Sequence, residues 1–362
     1  MRIKGGYIYM TIHTFEVSSI LTNETFYKIQ NELKTQDPSK WKAVKNGMQY
    51  WGLSDKGILI NMHQIKKKGF YSYRIIYRIS ARRVIDNDNF IGLFNTKHYI
   101  ELEEKANELL KNKCSDLPVL KRCKLKRLDF CINAKLDNQE QVKEYIKTAK
   151  KANVPARLEV YKQYDAKSKR TKPTKDDFTV YSSEYVALSI YNKYMEIKKQ
   201  KDGVFPAGEL ERAKNIVRIE LRCMEGKIKD LKKKYDIKSI SDFMNKSHKI
   251  GKYLYEYYLS KISNDGTIYT LKESLKRISD SGYYPENIKL LSEFIRDCNE
   301  SRSVAETVKI YKSLYGKKEV KRIIYMLDNI DTSYVTVAHS DKKLFDNGYI
   351  PTPLELFHEF MK

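Results

Sequence analysis

The chain has 362 residues, enough for two or three domains that each bury a core. Its 69 Lys and Arg against 46 Asp and Glu leave a formal charge of +23, a surplus that points to a polyanionic partner such as nucleic acid. Five scattered cysteines without a CxxC pair argue against both a disulfide framework and a structural zinc, and are expected to be reduced, partly buried thiols. No signal-peptide core and no apolar run long enough to span a bilayer is present, so a cytoplasmic protein with no membrane partner is expected.

The charge is segregated: residues 1–250 hold 52 Lys and Arg against 30 Asp and Glu, whereas residues 251–362 hold 17 against 16. Codon bias towards Lys, Ile, Asn and Tyr would raise the total without dividing it in this way. Nucleic-acid binding is therefore assigned to the first 250 residues.

In chain order, residues 1–6 read as a loose tail, 7–17 as a strand and 23–33 as a helix capped by Thr22 or Asn23. Strands follow at 48–53, 57–64 and 69–79, where Tyr, Ile and Arg alternate as on a half-exposed sheet. An amphipathic helix is expected over 99–111, with Ile100, Ala106, Leu109 and Leu110 as its apolar stripe. Strands at 124–133, 155–161, 178–191 and 215–223 and helices at 138–151 and 192–200 predict a second α+β unit, an antiparallel or mixed sheet in ferredoxin-like order. Between its strands, Lys162–Asp177 carries Lys169 and Arg170 and reads either as a solvated loop or as a basic finger on DNA backbone. Beyond Lys227 the pattern is helical: 226–234, 238–262 with Gly251 as its break, 270–278, 285–298, 303–314 and 317–329, the last two reading either as a helix-turn-helix or, given the near-neutral charge, as part of a packing or oligomerisation domain. The expected divisions are 1–115, 116–235, an all-helical 236–330 and an irregular tail, 331–362.

Side chains alternate along a strand, so Tyr191 shares an outward face with Ala187 and Ser189, and the neighbouring strands add Arg127 and Asp129, Arg157 and Glu159, and Arg218, Glu220 and Arg222. Two readings of this face stand side by side. In one it is a solvated surface of cross-strand ion pairs. In the other, Tyr191 is a nucleophile assisted by Lys193, and Asp129, Glu159 and Glu220, with His63, supply ligands for Mg²⁺ or Mn²⁺ while the arginines take phosphates. No phosphate loop, no GxGxxG and no HExxH is present, which argues against ATP-driven work.

The segments KRLDFCINA, YVALSIYNKYMEI and AKNIVRIELRC, with YRISARRVI before them and GYIPTPLELF near the end, resemble replication proteins of the filamentous-phage gene II/X class and their phage and plasmid relatives. That resemblance implies a nickase-like fold and rolling-circle initiation: one strand is nicked, a 5′-phosphotyrosine forms, the 3′-hydroxyl primes synthesis, and the strand is later rejoined. It places the family's Y-x-K motif on Tyr191 and Lys193, the second tyrosine on Tyr194, and the acidic strand motifs on Asp129 and Glu220. The His-hydrophobe-His pair of the wider nickase superfamily is missing. Single-stranded or supercoiled origin DNA is the implied partner, with host helicase and polymerase. Two rivals remain at the level of sequence, a non-catalytic DNA-binding regulator and a mobilisation relaxase.

Overall fold

The computed structural model describes residues 10–67, 69–86, 91–152, 158–160, 163–165, 170–172, 178–199, 208–264, 266–301, 303–337 and 349–361. Its first elements are β1 (Thr11–Leu21), α1 (Asn23–Gln36), β2 (Trp41–Val44), β3 (Gly47–Tyr50), β4 (Ile58–Lys67), β5 (Phe70–Ser80), α2 (Ala81–Asp86), β6 (Phe94–Asn95), α3 (Tyr99–Lys113) and β7 (Lys124–Lys135). Next come α4 (Gln139–Lys151), β8 (Glu159–Val160), β9 (Gln163–Asp165), β10 (Arg170–Lys172), β11 (Phe178–Ser182), β12 (Val186–Asn192), α5 (Lys193–Lys198), α6 (Glu209–Arg212) and β13 (Ile216–Cys223). The remainder is α7 (Glu225–Lys234), α8 (Ile240–Asn245), α9 (Ser247–Leu259), β14 (Ile268–Tyr269), α10 (Leu271–Ser279), α11 (Pro285–Glu300), α12 (Val304–Asn329), β15 (Tyr349–Ile350) and α13 (Pro353–Phe360). The class is α+β, and the chain divides into two compact units. Among the described residues no helix is long and apolar enough to cross a membrane. The five thiols are free and buried.

The first unit comprises Met1–Cys131, Glu184–Val186 and Leu221–Lys252. Its antiparallel sheet runs β2-β3-β4-β5-β1-β7, with β6 on the start of β1. Alternation drives one face inward: Phe15 and Val17 of β1, Ile58, Ile60 and Met62 of β4, and Ile75, Tyr77 and Ile79 of β5 are fully buried. Helix α1 adds Phe26, Ile29 and Leu33 to the buried set, and its Thr22 cap accepts from Thr25 N as the sequence suggests. The β2–β3 hairpin turns at Lys45-Asn46, with Asn46 at φ 59°, and Gly47 follows because a Cβ there would lie 1.8 Å from the Met62 carbonyl oxygen. The stripe of α3 is Tyr99, Leu102, Ala106 and Leu110, a 3-4-4 spacing that leaves Ile100 on the solvent side. The helix expected over 238–262 breaks at Lys246 instead of Gly251; Gly251 lies inside α9, where its missing side chain makes room for Met10.

The second unit comprises Ile132–Ser183, Ala187–Glu220 and Tyr253–Lys362. Its sheet runs β7-β13-β12-β11-β8. Strands β8, β11, β12 and β13 lie side by side in chain order and β7, the first, lies on β13, which differs from the ferredoxin-like order, in which the first strand separates the third from the last. Here α5 and α6 return the chain so that β13 lies directly beside β12. Helix α4 buries Val142, Tyr145, Ile146 and Ala149, and the Tyr181 hydroxyl donates to the Ala149 carbonyl. The basic segment 162–177 contains a small β9–β10 hairpin; the rest of it lies outside the described residues. The tail is not irregular: β15 pairs with β14, and α13 starts with a capping box in which Thr352 and Glu355 exchange side-chain and backbone hydrogen bonds, the signature carried by Thr352-Pro353-Leu354-Glu355. Helix α12 is broken at Gly316, whose φ of 84° and ψ of 161° only glycine adopts readily.

Candidate nucleophile site

Tyr191 is the penultimate residue of β12, where it pairs with Phe178 of β11 and is half-buried. Its hydroxyl lies 3.3 Å from Glu220 Oε2 and donates to that carboxylate, which is only 6% exposed on β13. The strand ends one residue later because Asn192 caps α5, its side-chain oxygen accepting from Met195 N at 3.2 Å. The same amide donates to Gln139 Oε1 (2.9 Å), Gln139 donates to Asn215 Oδ1 (3.2 Å), and Asn215, at φ 63°, donates to the Asp137 carbonyl (2.7 Å). A chain of amides thus fixes the strand-to-helix corner that presents the tyrosine. Sequence reasoning missed Gln139, Asn192 and Asn215; an Asn just before a helix was the readable signal.

Lys193 is in the first turn of α5 and nearly fully buried, with its ammonium 2.7 Å from Glu196 Oε2. Tyr194 is half-buried on the same helix, with Lys198 Nζ 5.9 Å from its ring centre. Arg218, expected to project towards phosphates, is instead completely buried and donates from Nε to Asn133 Oδ1 at 2.8 Å. Both faces of β13 are covered, so the alternation that places Arg218 opposite Val217 and Ile219 does not carry it to solvent. Glu159 shares the Tyr191 face but is opposite Ser182, which in turn pairs with Ala187, four residues along β12 from Tyr191. That is about 13 Å along the strand direction. Arg157 and Lys169 lie outside the described residues, and Arg170 is known by its backbone pairing with Asp165.

In the first unit, Asp129 is 1% exposed and engaged by guanidinium groups: Arg127 Nε at 2.8 Å and NH2 at 2.5 Å, and Arg222 Nε at 3.3 Å. Arg127 also reaches Glu16 (3.2 Å), which takes a further bond from Arg78 Nε (2.7 Å). The result is a ladder, Arg78–Glu16–Arg127–Asp129–Arg222, of the ion-paired kind. His63 pairs with Arg74 across β4 and β5, and Arg74 with Ile20 of β1, four residues from Glu16. Burial, and then Arg74, hold its imidazole below the ordinary histidine range.

A Mg²⁺ or Mn²⁺ site made of Asp129, Glu159, Glu220 and His63 requires four converging oxygen or nitrogen donors. Within neither unit do they converge. Asp129 spends both oxygens on arginines, His63 is three strands away from β7 in the same unit, and Glu159 is two strands and about 13 Å along from Tyr191. Among the described residues the group whose His, Cys, Asp or Glu ligand atoms do converge is Glu32, Cys114 and Asp116, in the first unit. There Asp116 pairs with Lys28 at 2.7 Å and the Cys114 thiol donates to Glu32 at 3.1 Å.

A strand end carrying a half-buried tyrosine hydrogen-bonded to a buried carboxylate, on an antiparallel α+β scaffold, is an arrangement that phosphodiester transfer with a phenolic nucleophile can use. The chain belongs to the family described as the N-terminal part of the replication-associated gene II protein, whose model matches residues 12–246, and is a replication initiator of that filamentous-phage type. No curated protein and no solved structure matches it.

Proposed function

We propose that the protein starts rolling-circle replication by nicking one DNA strand through Tyr191. The observation that carries this reading is the Tyr191–Glu220 hydrogen bond. The phenol attacks phosphorus, Glu220 takes the phenolic proton, and the 3′-oxygen departs and is protonated by solvent. The products are a 5′-phosphotyrosine and a free 3′-hydroxyl that primes synthesis. Attack of a 3′-hydroxyl on the phosphotyrosine reverses the step and rejoins the strand, so no nucleotide hydrolysis is needed.

A regulator that binds DNA without cutting it is the second reading, favoured by the ion-paired state of Asp129. Incubation with origin-bearing single-stranded or supercoiled DNA, followed by a denaturing gel, separates the two. Nicking predicts a protein-linked strand that Tyr191→Phe removes and Tyr194→Phe retains. Adduct retained in Tyr191→Phe and lost in Tyr194→Phe transfers the role to Tyr194, and origin binding without any adduct establishes the regulator. Parallel lanes with Mn²⁺ and with EDTA read the ion requirement directly.

A further inference from the structure

An open cleft of about 430 Å³ lies within the first unit, between the start of α3, the start of β7, α7 and α8. Its volume is in the range of small-molecule sites. Chemically it has two parts. The floor is apolar, made of Leu125, Ile240 and Phe243. The rim carries Lys121, Lys124, Lys232 and Lys238, against which the cleft sets one acid, Glu103. Among the described residues Lys121, Lys124 and Lys232 have no carboxylate within ion-pairing distance, whereas Lys238 pairs with Asp236.

Hydrogen-bonding groups complete it. The Ser239 oxygen accepts from Asp242 N, which leaves its own O–H to donate, and Ser241 lies beside it. Tyr99, only 2% exposed, is part of the wall, and its hydroxyl has no partner among the described residues. A buried hydroxyl without a partner keeps a desolvation cost that a ligand acceptor would offset. Burial raises the Glu103 carboxyl above its ordinary range, which weakens the one charge that would repel an anion.

We propose that this cleft binds a nucleotide, its base against Leu125, Ile240 and Phe243 and its phosphate among the lysines. The nucleotide is either free or one unit of a DNA strand, and the chemistry is shared. The inference does not depend on Tyr191 being the nucleophile.

The test is calorimetric titration of the full-length protein with dATP and, separately, with a 12-nucleotide single strand. Two variants are compared with the wild type: Lys121→Glu/Lys232→Glu, which inverts rim charge, and Ser241→Trp, which fills the cleft without changing charge. Both are expected to lower affinity for the true occupant at least ten-fold. Loss of dATP alone assigns a free nucleotide, and loss of the strand, alone or with dATP, assigns a nucleotide of DNA. If charge inversion weakens binding and Ser241→Trp does not, the lysines act as general surface charge and the inference fails. It also fails if neither ligand is affected by either variant.

Discussion

The Tyr191 hydroxyl donates to a carboxylate, Glu220, that is itself almost removed from water. A phenol bonded in this way has its proton acceptor already in place, so only the phosphate has to arrive. Glu220→Gln keeps the shape and removes the base. Adduct formation in single turnover is expected to slow by about 10²–10⁴-fold, the ordinary contribution of a positioned acid or base. DNA affinity is expected to stay within two-fold. A rate within three-fold of wild type would show that Glu220 only fills space.

The Arg127–Asp129 pair predicts a different outcome for the second carboxylate. Asp129 is buried and bidentate, so Asp129→Asn breaks the pair and leaves a largely covered guanidinium with half its partner. Stability in urea is expected to fall by about 3 kcal/mol. A catalytic ion ligand would behave otherwise, with nicking lost by orders of magnitude and the urea midpoint barely moved.

The residues that make these predictions differ in how far they were legible. Period-two alternation in β7, β12 and β13 identified the strands and put Tyr191, Asp129, Arg218 and Glu220 on matching faces. Alternation says which side a residue faces, though, and nothing about whether that side is covered. Alternation alone puts Arg218 and Asp129 on an outward face, and both are buried. Register was equally silent: Glu159 shares the face of Tyr191 but is displaced along it, because the β11–β12 hairpin sets which residues meet. The helix starts at Thr22 and Asn192 rest on local capping chemistry, but only the Thr22 cap was read in the sequence.

Asp37 gives the fold a defined sensitivity to acid. Hydrogen bonds from Lys113 and then from Tyr50 hold its carboxyl below the ordinary 3.8, against a smaller opposing effect of burial. A group with a depressed folded value contributes stability above its unfolded value and loses it as pH falls through the folded one. Asp37→Asn should therefore lower the urea midpoint at pH 7, and the gap from wild type should close as the pH is taken below about 4. An undiminished gap at pH 2.5 would mean that the loss is one of packing and not of charge.

The 26 residues of α12 would be about 39 Å long if the helix were continuous. They are not continuous, because Gly316 folds the second half back, burying Val320, Ile323 and Leu327 and letting Arg322 NH1 donate to Asn287 of α11 at 3.0 Å. An alanine at 316 cannot hold that backbone without strain, and the cheapest relief is to straighten. The second half then leaves its own α11 with its apolar stripe intact, and the nearest equivalent surface is the α11 of another molecule. Gly316→Ala should raise the share of an exchanged dimer relative to wild type, visible by light scattering and reversible on unfolding and dilution. One absent β-carbon thus decides whether this region closes on itself or on a neighbour.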